Sequence, residues 1–269
     1  MNRLILFLVL LGTAFAQSGP SSPAPPSSST SAIPVDQQNS AKAQALIQSA
    51  ILALGGQAYL EVQDVSQEGR TYSFHLGTPN STGVLFWRFY KFPDQERVEL
   101  TKQRDVADVY QGEDGAEITY KGVTSLETKL LNDYIRRREY SLDWVLRKWI
   151  HEPGVAFFYE GTSVAAQKPA DQVSIINAKN QGVTLYLDIN THLPIKKTFT
   201  WRDPADRQRN IEDEVWDNYR TVQGILTPFS ITRYYNGDMA NQRFLNTVKY
   251  NTGLKDSLFA ISGPVATKK

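Results

Sequence analysis

Val183-Thr184-Leu185-Tyr186-Leu187-Asp188-Ile189-Asn190-Thr191-His192-Leu193-Pro194-Ile195-Lys196-Lys197-Thr198-Phe199-Thr200-Trp201 is the stretch whose reading decides the fold. Val183, Leu185 and Leu187 share one parity, and so do Ile195, Phe199 and Trp201, while Thr184, Asp188, Lys196, Thr198 and Thr200 take the other. Side chains alternate across a strand, so each half is a strand with one buried and one wet face. Asp188 and Thr191 can close the turn between them, and Pro194 limits how far the hydrogen-bond ladder extends back into it. A link this short forces antiparallel pairing, because a parallel partner needs a crossover of roughly a dozen residues.

Working outward, the same texture recurs on both sides. Runs rich in β-branched and aromatic residues predict strands at 61–66, 70–76, 83–92, 96–102, 107–111, 117–121, 155–160, 172–177, 183–189, 195–201, 211–219, 225–235 and 242–250. Turn signals separate them: Gly112-Glu113-Asp114-Gly115, Asn180-Gln181-Gly182, Asp203-Pro204 and Asn236-Gly237-Asp238. Between 126 and 150 the period changes. Leu130, Leu131, Tyr134 and Ile135, then Leu142, Val145, Leu146, Trp149 and Ile150, fall at helical spacing and predict two short helices broken near 136–139. Another helix is predicted ahead of the strands, with Ser40 as its N-cap, Leu46, Ile47, Ala50, Ile51 and Leu54 on its apolar face, and Gly55-Gly56 as its stop. The fold class is α+β: a large curved antiparallel sheet whose concave apolar face is covered by a few helices. Such a face can pack shut or enclose a greasy cavity. Gly83 to Phe92, apolar on both parities, is buried on both faces or borders a ligand on one of them.

The N-terminus carries Arg3, the apolar run from Leu4 to Leu11 and Gly12-Thr13-Ala14-Phe15-Ala16, the order of a cleavable signal peptide over residues 1–16 with cleavage after Ala16. The run is far shorter than the roughly 20 apolar residues of a spanning helix, so no transmembrane helix is expected in the mature chain. Residues 17–39, dominated by Ser, Pro and Ala, read as a disordered linker. A single folded domain is expected over 40–262, with a tail at 263–269. The chain is therefore expected to be exported, as a soluble periplasmic or secreted protein.

Composition removes several function classes. The chain contains no cysteine, which excludes disulfides, thiol chemistry and a lipid-modified N-terminal cysteine. Lys+Arg number 29 and Asp+Glu 28, a balance unlike that of nucleic-acid binders. Arg136-Arg137-Arg138 is the one basic run; it reads as a solvated helix end, with peripheral contact to anionic lipid headgroups as the alternative. His75, His151 and His192 sit in separate elements, and His151-Glu152 is not followed by a second histidine at metalloprotease spacing, so no metal and no cofactor are expected. Serine-hydrolase, phosphate-loop and dinucleotide motifs are missing as well. Glu212-Asp213-Glu214 with Asp217 is the densest acidic group. On a strand Glu212 and Glu214 face away from Asp213 and Asp217, so it reads as surface charge, with Arg207 and Arg209 as partners, rather than a hydrolytic acid pair.

Three short motifs carry a family resemblance. The strand-turn-strand from Leu185 to Lys197, the stretch Tyr219-Arg220-Thr221-Val222-Gln223-Gly224-Ile225-Leu226-Thr227-Pro228-Phe229 and the ending with Asn251, Leu254, Asp256 and Phe259 resemble the periplasmic outer-membrane lipoprotein carrier (LolA/LolB-like) superfamily, and Gly55-Gly56 after its helix fits their opening. The resemblance spans roughly residues 43–260. It implies an unclosed half-barrel with a helical lid, here 126–150, over a hydrophobic cavity. It also implies a non-enzymatic carrier or sensor of a lipid, a lipoprotein acyl chain or another hydrophobic ligand. A cell-envelope module that binds a protein partner without a ligand is the alternative. Tyr72, Phe74, Phe86, Leu185, Leu187, Phe199, Trp201, Phe229 and Phe244 are the expected cavity-lining residues.

Overall fold

The computed structural model describes residues 35–261 and 265–266. The signal peptide, the linker as far as residue 34, residue 262 at the end of the expected domain, and tail residues 263–264 and 267–269 lie outside the described residues. In chain order the elements are α1 (Val35–Leu54), α2 (Gln57–Leu60), β1 (Asp64–His75), β2 (Thr78–Pro79), β3 (Val84–Lys91), β4 (Gln95–Leu100), β5 (Val106–Gln111), β6 (Asp114–Thr119) and β7 (Gly122–Ser125). There follow α3 (Thr128–Glu139), α4 (Leu142–Arg147), a short 3-10 turn at Trp149–His151, β8 (Ala156–Ala165), β9 (Lys168–Ile176), β10 (Gly182–Asp188), β11 (Pro194–Arg202), β12 (Arg209–Val222), β13 (Ile225–Tyr235), β14 (Asp238–Tyr250), a second 3-10 turn at Asp256–Phe259 and β15 (Val265–Ala266).

The expected α+β class holds. One sheet runs in the order β15-β7-β6-β5-β4-β3-β1-β14-β13-β12-β11-β10-β9-β8 and does not close on itself, with the small β2 beside β1. All its pairs are antiparallel except the short β15 on β7. Two hairpin ladders, β3 to β7 and β8 to β14, are joined where β1 pairs with β14, which brings together strands about 180 residues apart, such as Val65 opposite Tyr250. The helical interlude 126–150 interrupts the two ladders as α3 and α4, broken at Tyr140-Ser141 rather than within the arginines. The Ser141 side chain caps α4 by accepting from the Trp144 N–H at 3.2 Å.

Two boundaries differ from the sequence expectation for tertiary reasons. α1 begins at Val35, so Ser40 lies inside the helix instead of capping it. Asn39, assigned to the linker by composition, exchanges two hydrogen bonds with the Tyr159 backbone on β8, at 2.8 and 2.9 Å, and ties the first turn to the sheet. The strands expected at 61–66 and 70–76 are one strand, β1, bent by a bulge between Glu68 and Gly69. A side chain at Gly69 would put Cβ 2.2 Å from the Phe244 carbonyl oxygen and 3.0 Å from the Phe86 ring. Gly69→Ala is therefore expected to cost about 2 kcal/mol through overpacking, read as a lower urea midpoint with an unchanged slope. An unchanged midpoint would show that the bulge is plastic.

The quoted stretch behaves as its pattern requires. Asp188 accepts from the N–H groups of Asn190 and Thr191 at 2.9 and 3.0 Å, and His192 takes the left-handed conformation that ends the turn before Pro194. The other motifs converge on the same region. The Tyr219 hydroxyl donates to the Pro194 carbonyl at 2.5 Å, and a Cβ at Gly55 would sit 2.8 Å from the Gly224 carbonyl oxygen, which explains the glycine at the end of α1.

One end of the concave face is closed. Ala43, Ile47, Ala50, Ile51 and Leu54 of α1 pack with Val173, Ile175, Val183, Leu185 and Leu187 of the sheet and with Val145, Leu146 and Trp149 beside α4. A second cluster, Val65, Phe86, Tyr90, Trp216, Phe229, Ile231, Leu245 and Val248, lies farther along the same sheet.

Candidate ligand cavity with a charged floor

Where α1 does not reach, the sheet and the two short helices α3 and α4 border a cavity of about 700 Å³. Cross-strand register builds its floor. Arg88 lies opposite Gln67 and Val98, Tyr90 opposite Glu96, Lys197 opposite Glu214, Phe199 opposite Glu212, and Arg233 opposite Glu214 and Asn241. All of these residues border the cavity. Leu54, Val62, Phe92, Leu142 and Ile225 give it an apolar wall.

Most of the floor charges are paired. Arg88 forks onto Glu96 at 2.7 and 3.0 Å, and the Tyr134 hydroxyl of α3 donates to the same carboxylate at 3.1 Å. Burial pushes the Glu96 carboxyl up, but Arg88 and the Tyr134 hydrogen bond outweigh it and hold the group below its ordinary range. Lys197, only 3% exposed, contacts Glu214 at 2.9 Å and donates to the Tyr140 carbonyl at 2.8 Å. Arg243 approaches Glu214 at 3.5 Å. Against the effect of burial, Lys197 and then Arg243 bring Glu214 down to about 2. Glu212, 2% exposed, receives Arg137 at 2.9 Å and Arg136 at 3.5 Å from α3. Arg233 differs from all of these: among the described residues its guanidinium has neither ion pair nor hydrogen bond, and burial, followed by the nearby Arg137, pushes it down to about 10.

Two expectations about charge are corrected here. Arg136-Arg137-Arg138 is not a solvated helix end, and its charges are not turned outward for lipid headgroups. Arg136 stacks on the Trp201 ring with its guanidinium 3.4 Å from the centroid, and Arg138 donates to the Gly112 carbonyl at 2.6 Å. Nor is Glu212-Asp213-Glu214 surface charge paired with Arg207 and Arg209. Glu212 and Glu214 point into the cavity, whereas Asp213 pairs with Lys196 at 3.0 Å and Asp217 with Lys168 at 3.5 Å. Glu212 and Asp217 thus lie on opposite faces and cannot act on one bond as an acid pair. The available signal was complementarity: a triplet of arginines in one element and a run of acids in another.

Of the nine residues expected to line the cavity, Phe199 does, with its ring stacked on Tyr140 at 4.3 Å. The other eight lie elsewhere. Leu185 and Leu187 are fully buried in the dry core that includes α1. Phe86 and Phe229 belong to the second cluster, and Trp201 lies beneath Arg136. Phe244 follows the cavity-facing Arg243, so it lies on the outer face, 40% exposed and edge-on to Tyr72 at 6.0 Å. Phe74 is at the far end of β1, opposite Pro79. Apolar parity finds the buried face correctly, but its most apolar strands are the ones α1 covers. The open section carries charge.

No protein-family model matches this chain, and no curated protein matches it either. Solved structures do. A DUF1329 family protein from Desulfovibrio piger superposes with a TM-score of 0.56 at 13% identity, over 81% of this chain and 97% of its own. A putative outer membrane lipoprotein-sorting protein domain from Vibrio parahaemolyticus gives 0.54 at 11% identity, over 82% and 97%. A LolA superfamily protein from Nitrosomonas europaea gives 0.50 at 13% identity, over 81% and 97%. The fold is therefore the half-barrel fold of LolA superfamily proteins and lipoprotein-sorting domains, as the short motifs implied. No described helix is long and apolar enough to cross a membrane.

Proposed function

We propose that this chain is an exported, non-enzymatic carrier or sensor of a hydrophobic ligand, held between the sheet and the α3–α4 lid. The observation that carries the reading is the cavity itself: about 700 Å³, within the usual range for small-molecule sites, and walled by Leu54, Val62, Phe92, Leu142 and Ile225. The likeness to lipoprotein-sorting domains supports a lipid or acyl chain as cargo. The signal-peptide pattern supports export and a periplasmic or secreted location.

Native mass spectrometry of protein purified without detergent is expected to show a one-to-one adduct that organic extraction removes. Leu130, on α3 at the cavity border and 55% exposed, can be enlarged without disturbing the core. Leu130→Trp is expected to weaken binding of a fluorescent acyl probe while leaving the unfolding midpoint unchanged. Absence of both an adduct and saturable acyl-probe binding would remove this function.

A further inference from the structure

Resting on the carrier reading, we infer that the ligand is an amphiphile with an anionic oxyacid head group, and that Arg233 is the residue that receives it. Several charges of the floor pair with one another, and beside them Arg233 has neither ion pair nor hydrogen bond among the described residues. Glu96 is taken by Arg88 and Tyr134. Glu212 is taken by Arg137 and Arg136. Glu214 stands directly across β12–β13 from Arg233 in register, yet its oxygens are engaged by Lys197 and Arg243. The amide NH2 of Asn241, opposite on β14, donates to Thr71 Oγ1 and the Tyr72 carbonyl at 2.8 and 2.9 Å. Arg233 thus faces the cavity half-buried, with no hydrogen bond from its five donor N–H bonds to a protein acceptor.

Arg233 is half-buried, and partly desolvating a guanidinium that makes no ion pair or hydrogen bond is costly. Arg243 and Arg137 border the same cavity but are engaged by Glu214 and Glu212, and carboxylates line it as well, so the attraction for an anion is local to Arg233. A carboxylate or phosphate is planar or multi-oxygen and accepts from a guanidinium in pairs, which a hydroxyl cannot do. The apolar wall of the same cavity then takes the chain. An alcohol or a neutral glyceride offers Arg233 only uncharged acceptor oxygens and no counterion.

The test uses the full chain with three probes at pH 8: dodecanoate, 1-dodecanol and inorganic phosphate, each competing with a fluorescent acyl reporter. Dodecanoate is expected to bind at least about tenfold more tightly than dodecanol, the scale of a charge-assisted hydrogen bond, and phosphate alone to bind far more weakly than either. Arg233→Gln should reduce the dodecanoate preference to about twofold and leave dodecanol affinity unchanged. Because Arg233 makes no ion pair or hydrogen bond, Arg233→Gln should also keep or raise the unfolding midpoint of the protein, so a merely damaged fold is distinguishable. Equal binding of acid and alcohol to the natural protein, or an intact preference in Arg233→Gln, would overturn the inference while leaving the carrier reading in place. Phosphate binding as tightly as dodecanoate would make this a free-anion site and overturn the amphiphile assignment. If neither amphiphile competes, the carrier reading itself falls.

Discussion

Replacing Glu212 by alanine should release α3 from the sheet and lower the unfolding free energy by about 3–5 kcal/mol, the usual effect of removing one partner of a buried ion pair. Glu212 is 2% exposed, and it anchors Arg137 at 2.9 Å and Arg136 at 3.5 Å. Without it Arg137 loses its carboxylate partner, and Arg136 keeps only Asp133, at 2.6 Å, within its own helix. α3 has few other attachments. None of its residues is fully buried, and its remaining ties include the Arg136 stack on Trp201 at 3.4 Å, the Tyr134 hydrogen bond to Glu96, the Tyr134–Tyr110 stack at 3.6 Å and the Arg138 bonds to the Gly112 and Asp94 carbonyls. α3 is thus fastened mainly by polar contacts and ring stacking, unlike the apolar packing of α1. Amide exchange across α3 should accelerate in Glu212→Ala well before global unfolding, and less so in Glu212→Gln, which keeps an acceptor oxygen. Unchanged α3 exchange together with a stability loss under about 1 kcal/mol would show that the ion pairs contribute little.

How far the sequence foretold this arrangement depends on the range of the interaction concerned. Local signals were legible: the 183–201 alternation gives β10 and β11, and Asp188 closes its turn as its spacing requires. Helix periodicity found α3 and α4. Signals that depend on a distant partner were not legible. Asn39 becomes helical because Tyr159 receives it. Two predicted strands become one because Gly69 can bulge against Phe244, far away in sequence. The charged floor was hidden for a related reason. Arg88, Lys197, Glu212, Arg233 and Arg243 come from separate strands, and each alone has the composition of a wet face. Only strand register shows that they share the concave side, where Arg88, Lys197, Glu212 and Arg243 find opposite charges and Arg233 makes no ion pair among the described residues.

Acid should weaken this fold through the same floor, with Glu214 as the dominant group. Its carboxyl lies near 4.5 when unperturbed and at about 2 in the folded protein, because Lys197 and Arg243 outweigh the cost of burial. A depressed folded value means that the fold favours the ionised form. The contribution is therefore complete above the unfolded value and is lost as pH falls from there through the folded one. That shift corresponds to about 3 kcal/mol, lost between roughly pH 5 and pH 2. Glu96 adds in the same direction, as does Asp64: burial raises the Asp64 carboxyl, but hydrogen bonds from the Thr252 hydroxyl and the N–H groups of Thr252, Leu254 and Gly253 hold it below its ordinary range. Glu214→Gln separates Glu214 from the rest. At pH 7 the variant should be less stable by about 3 kcal/mol, because Lys197 remains buried and charged with only the Tyr140 carbonyl as partner. Towards pH 2.5 the natural protein loses its advantage, so the two curves of urea midpoint against pH should converge. Curves that stay parallel over that range would place the acid sensitivity elsewhere, with Asp64 and the Thr252–Leu254 backbone that it holds as the next candidate.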